Sequence, residues 1–186
     1  QSSSYTYQYA NTRGVHERLP ASSTVASVLS PGQNVVTRYK YDLATKRLKA
    51  ILRTGYTQHV KPDGAKVEQA TIGTFYFTNY ECSGEADLDV YNRIVEVHGP
   101  CFVSNADSAT DCDPTLNINI PVTQYRFWDR SEPTDNAGRL KSIATYPETI
   151  TARDCEKTRA PVVTQFLEYD AYGHVLKELD ANGVDT

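Results

Sequence analysis

The stretch Val163-Thr164-Gln165-Phe166-Leu167-Glu168-Tyr169-Asp170-Ala171-Tyr172-Gly173-His174-Val175-Leu176 decides the fold. Its first half is a run of β-branched and aromatic residues, side chains that suit a pleated, half-buried surface. Asp170 ends the run, and a strand-terminal Asp accepts hydrogen bonds from backbone N–H groups two residues on and so starts a turn. Gly173 tolerates φ > 0, which tight hairpin turns require. A second short run returns from Val175. The segment reads strand, Asp, turn, strand, which is a β-hairpin.

Working outward, the same unit recurs. Its first strand reappears as Val36-Thr37-Arg38-Tyr39-Lys40-Tyr41-Asp42 and as Val122-Thr123-Gln124-Tyr125-Arg126-Phe127-Trp128-Asp129, with a weaker copy at Thr74-Phe75-Tyr76-Phe77-Thr78-Asn79-Tyr80. Its second strand follows as Lys46-Arg47-Leu48-Lys49, Asn92-Arg93-Ile94-Val95, Gly138-Arg139-Leu140-Lys141 and Gly173-His174-Val175-Leu176. Four hairpins are therefore expected, at about 35–60, 73–100, 121–147 and 161–186. Lys46 fits a φ > 0 position less well than Gly or Asn, and its turn is one residue longer, so a bulge or looser turn is expected there. Insertions at 81–88 and 130–137 fall at hairpin tips, where they cost least. Residues 1–34 differ in composition. Tyr5 to Tyr9 alternates like a strand and 11–14 could turn it, a worn fifth unit, whereas 20–32 reads as a loop or short helix. Residues 100–121 read as an irregular polar linker, and 148–161 as a polar stretch with one short helix from Thr151. No domain boundary is visible.

These residues resemble the YD repeat of the Rhs/YD-repeat family, an aromatic-x-Tyr-Asp strand followed by Gly-Arg-Leu and a second strand. The closest match runs from Tyr169-Asp170 through Gly173 to Leu176. Tyr41-Asp42 with Arg47-Leu48 matches in part, as does Trp128-Asp129 with Gly138-Arg139-Leu140. The second unit, with Asn92-Arg93, lacks the Tyr-Asp pair, and His174 stands where the family has Arg. The resemblance implies a mainly β fold of consecutive antiparallel hairpins in one extended, curved sheet. It also implies a structural, non-catalytic role: part of a shell that encloses or presents a toxin or other polypeptide. The family's Asp-Pro-rich self-cleaving core has no counterpart around the isolated Asp113-Pro114. Neighbouring repeats or a toxin polypeptide of a larger chain are the implied partners. A lone hairpin is marginal, so stacking must bury a continuous face, and the outermost strands leave open edges suited to self-association.

Composition narrows the classes. The 186 residues carry 19 Lys and Arg against 23 Asp and Glu, a net charge of −4. With basic residues scattered, this is no footprint for nucleic acid. No apolar run approaches the ~18 residues of a membrane span. The sequence contains no Met, so Gln1 is expected to be a processed or cut end.

Cys82, Cys101, Cys112 and Cys155 fit no common zinc spacing. An even count suggests an oxidising compartment, and hence a secreted or cell-surface protein. Sequence alone does not select among the three pairings. The pairing taken as the expectation is Cys101–Cys112, closing the polar loop between them, with Cys82–Cys155; four reduced thiols are the alternative.

Other candidate sites have plain readings beside them. Asp107, Asp111 and Asp113 could serve a hard cation, but a solvated loop explains them better. Asp180-Ala181-Asn182-Gly183 has the Gly in the wrong place for a calcium loop and reads as a turn. His16, His59, His98 and His174 lie in no G-x-S-x-G or H-E-x-x-H context, so neither a catalytic residue nor a cofactor is expected. Arg47, Arg93 and Arg139 recur at one place, as a cation ladder for acidic polymers or as stems lying over the sheet. Tyr39, Tyr41, Phe75, Phe77, Tyr125, Phe127, Phe166 and Tyr169 form either an exposed glycan-stacking face or a core stripe. An exposed face would make the chain a free-standing extracellular carbohydrate- or surface-binding module, the alternative to the shell.

Overall fold

The computed structural model describes residues 3–12, 15–26, 34–60, 66–79, 93–131, 134–147 and 160–184. Within them the chain forms strands β1 (Ser3–Thr12), β2 (Val15–Val25), β3 (Val35–Asp42), β4 (Arg47–Val60) and β5 (Lys66–Phe77). It continues with β6 (Glu96–Val103), β7 (Val122–Phe127), β8 (Leu140–Tyr146), β9 (Val162–Tyr169) and β10 (Val175–Leu179). No helix occurs among the described residues. The strands hydrogen-bond in chain order from β1 to β10, as consecutive antiparallel hairpins must. The mainly β hairpin sheet expected from the repeats is the fold.

Two readings of the connections need correction. Residues 20–32 do not open with a loop or helix, because β2 continues through Pro20 to Val25. Pro20 is tolerated because it pairs with Tyr7 at the bulge between Thr6 and Tyr7, where a missing N–H disrupts no regular ladder. Residues 100–121 are not irregular from their start, because β6 reaches Val103. The expected bulge at the first hairpin is present: the register shifts between Lys40 and Tyr41, and Lys46 sits at φ 60°. The helix expected from Thr151 lies outside the described residues.

Contacts divide the chain into two compact units, 1–76 with 98–120, and 77–97 with 121–186. In the first, Ala50 and Leu52 of β4 and Phe75 of β5 are buried on one face. Leu52 pairs with Gly73, where a β-carbon would lie 2.7 Å from the Phe75 ring. A glycine there lets the ring fold back over the sheet. In the 104–120 loop that follows β6, Ile120 and Cys112 are buried as well. Four anchors hold it. Cys101 and Cys112 form a disulfide. Fully buried His98 bonds Asp111 Oδ1 through Nδ1 at 2.8 Å. Lys40 Nζ donates to the carbonyls of Asp107 and Ala109, both at 2.8 Å. Asn117 accepts from Phe102 N and donates to Phe102 O, prolonging the ladder along β6 with a side chain.

In the second unit, Val95, Val122 and Tyr169 are buried. Buried Glu96 is bonded by Gln124 Nε2 at 2.6 Å, which satisfies a carboxylate that would otherwise be costly to bury.

Candidate functional site

In the described copies of the motif, the Asp at the end of the first strand accepts hydrogen bonds from the residues just after it. At Asp170 the carboxylate Oδ1 accepts the N–H groups of Tyr172, Gly173 and His174 at 2.9, 2.7 and 2.8 Å. Its Oδ2 meets His174 Nδ1 at 2.8 Å. The bond from His174, reinforced by the backbone donors, lowers the Asp170 pKa from 3.8 to about 2. Gly173 takes φ 100° to close the turn. Asp42 accepts from Ala44 and Thr45 N–H, and Asp129 from the N–H and hydroxyl of Ser131. These donors, led by the backbone N–H groups of Thr45 and Ser131, hold both carboxyls below the usual range. Asp180 repeats the Asp170 turn: its N–H donates to Val184 O, as that of Asp170 does to His174 O. Its Oδ1 receives the N–H groups of Asn182 and Val184.

Two of the recurrent arginines, Arg93 and Arg139, tie one hairpin to the next. Arg93 precedes β6, stacks its guanidinium 3.7 Å over Phe127, and donates from Nη1 to Gly138 O at 2.8 Å. Arg139 precedes β8, lies over buried Tyr169 at 5.3 Å, and donates from Nη2 to Ala171 O at 3.2 Å. In both cases the arginine opening one returning strand reaches the ring and the turn carbonyl of the following hairpin. The stem-over-sheet reading of these residues thus acquires a definite partner, a main-chain oxygen.

The 130–137 insertion adds a second tie. Asn136 Nδ2 donates to Leu167 O at 2.9 Å, and Asn136 Oδ1 accepts from Tyr169 N at 3.0 Å. Because β8 begins only at Leu140, this carboxamide takes the place of a strand beside the end of β9. Trp128 Nε1 donates to Phe166 O on the same strand, with Lys141 Nζ 4.4 Å over the indole. The Tyr169 hydroxyl donates back to Leu140 O. Burial raises the Tyr169 pKa, and likewise that of Tyr41.

The remaining motif residues fall as follows. Arg47 pairs with Asp42 and Leu48 with Tyr41 across the first hairpin. Gly138 takes φ 72°. Asn92 and the Cys82–Cys155 pair lie outside the described residues. The Cys101–Cys112 pairing is formed. Asp111 and Asp113 accept bonds from their own loop, and Asp107 lies 3.9 Å from Arg38. Among the described residues no group of three or more His, Cys, Asp or Glu could hold a metal ion. None of the eight repeat aromatics is exposed. Among the described residues the exposed tyrosines are instead Tyr5, Tyr7 and Tyr172. Among the described residues no helix is long and apolar enough to cross a membrane. Sequence reasoning passed over Asn136, Asn117 and Lys40, which lie in segments read as loops or in an ordinary strand and carry no local signature.

No family model and no curated protein matches the chain. The geometry itself defines the class, a mainly β protein of consecutive antiparallel hairpins in one sheet.

Proposed function

We propose that the chain is a structural segment of a YD-repeat type shell, secreted or at the cell surface, that encloses or presents another polypeptide and catalyses nothing itself. The observation that carries this reading is the directional tie between hairpins, Arg93 onto the turn at Gly138 and Arg139 onto the turn at Ala171. Such ties hold a row of individually weak hairpins together as a continuous wall. The Cys101–Cys112 bridge suits an oxidising compartment. The outer strands β1 and β10 are where neighbouring repeats, or a second copy, would pair. A glycan-binding face has less support, because Arg93 covers Phe127 and Tyr169 is buried.

The test is to purify the native gene product with an antibody against this segment, weigh it, and digest it with protease. A product far heavier than 20.7 kDa that releases a protected polypeptide only after denaturation supports the shell. A product near 20.7 kDa that binds a glycan array, with binding lost on Tyr172→Ala, overturns it.

A further inference from the structure

Asn182 and Gly183 lie exposed in the Asp180 turn. Gly183 has φ 77°, and nothing stands within 4 Å of the place a β-carbon would occupy. An Asn followed by Gly is chemically special because the next backbone nitrogen can attack the side-chain amide carbon without steric hindrance. Here that nitrogen is restrained. Gly183 N–H donates to Asp180 O at 3.0 Å, and Asn182 Nδ2 reaches Asp180 Oδ2 at 3.3 Å. The N–H groups of Asn182 and Val184 are both held by Asp180 Oδ1 at 2.8 Å. While these bonds persist, the Gly183 nitrogen keeps its proton and the Asn182 amide stays tethered.

We propose that Asn182-Gly183 is a self-modification site, converting to aspartate and isoaspartate at a rate set by opening of the Asp180 turn. In the opened turn, solvent base removes the Gly183 N–H proton and the nitrogen attacks Asn182 Cγ. The new N–Cγ bond forms a five-membered succinimide, the Cγ–Nδ2 bond breaks, and Nδ2 leaves as ammonia with the proton that solvent returns. Water then opens the succinimide at either carbonyl. One water is consumed, one ammonia is released, and nothing is oxidised or reduced. The product places a new carboxylate beside that of Asp180. Its isoaspartyl form also adds a methylene to the main chain inside the turn, so the original bonds cannot re-form and the end of β10 loses its anchor. The Asp170 turn is the internal control: it makes the same main-chain bonds but carries Tyr172, which lacks this chemistry. The inference stands on turn geometry and is independent of the shell reading.

The experiment incubates the intact chain at mildly alkaline pH. It follows the peptide containing residue 182 by mass spectrometry and by isoaspartyl methyltransferase labelling. The folded chain converts more slowly than the urea-unfolded chain. Asp180→Ala, or urea below the unfolding midpoint, moves the folded rate toward the unfolded one, and Asn182→Gln abolishes conversion. Equal rates in the folded and unfolded chains would overturn the gating by the turn. No conversion in the folded chain, either native or with Asp180→Ala, while the unfolded chain converts, would remove the site altogether.

Discussion

Arg139 Nη1 lies 2.9 Å from the point that a β-carbon on Gly173 would occupy. The glycine therefore serves two purposes, a left-handed turn and a seat for a guanidinium arriving from the preceding hairpin. Gly183 closes the matching Asp180 turn with nothing within 4 Å of its own seat. The pair separates the two roles. Gly183→Ala should cost only the backbone term of about 1–2 kcal/mol. Gly173→Ala should cost about 0.5–1 kcal/mol more, the worth of an exposed cation–π contact. That excess should vanish in an Arg139→Ala background, as read by urea unfolding of all the variants. Equal costs in both backgrounds would mean the guanidinium contributes nothing at Gly173.

Asn136→Ala leaves Tyr169 N and Leu167 O without their side-chain partner and should destabilise the protein by about 1–3 kcal/mol. The Tyr169 amide should exchange with deuterium faster, while the amide of Thr164, which lies where β9 pairs with β8, is much less affected. Asn136→Asp should not rescue, because a carboxylate cannot donate to Leu167 O.

Removing the Cys101–Cys112 bridge with a paired Cys→Ser change should lower stability by about 3 kcal/mol, from the chain entropy released by a loop of this length. The loss should be accompanied by His98 becoming accessible to chemical modification, because Asp111 is adjacent to Cys112 and holds its ring. Loss of stability with His98 still shielded would show that the remaining anchors alone hold the loop.

The depressed Asp170 pKa fixes the sign of one pH response. The folded value is about 2 against 3.8 for a free aspartate carboxyl, so the folded state holds its proton more weakly than the unfolded chain. The resulting stability is fully present above 3.8 and is lost as pH falls toward 2. A carboxyl NMR titration should place the Asp170 midpoint near 2, and His174→Ala should raise it. A midpoint unmoved by that change would assign the shift to the turn's N–H groups alone.

The turns were legible in the sequence because everything they need is local. Asp170 bonds nitrogens two to four residues on, and Gly173 closes the same turn. The cross-ties were not legible. Arg93 finds Gly138 at a separation of 45 residues, and Asn136, inside an insertion at a hairpin tip, finds Tyr169 at 33. Pro20 misled for a related reason: a proline argues against a strand unless a bulge receives it, and the bulge depends on the partner Tyr7. The aromatic stripe left an exposed glycan-stacking face and a core stripe both open, and gave no sign that an arginine from the preceding hairpin would cover Phe127.

The guanidiniums of Arg93 and Arg139 each recognise a ring and a main-chain oxygen of the next hairpin, features that leave most of that hairpin's other positions unconstrained. A joint of that sort carries no address. A unit could be duplicated or deleted and the arginine before the gap would still find a turn to grip. A joint that reads a ring and a backbone oxygen would tolerate a change in the number of hairpins on either side of it.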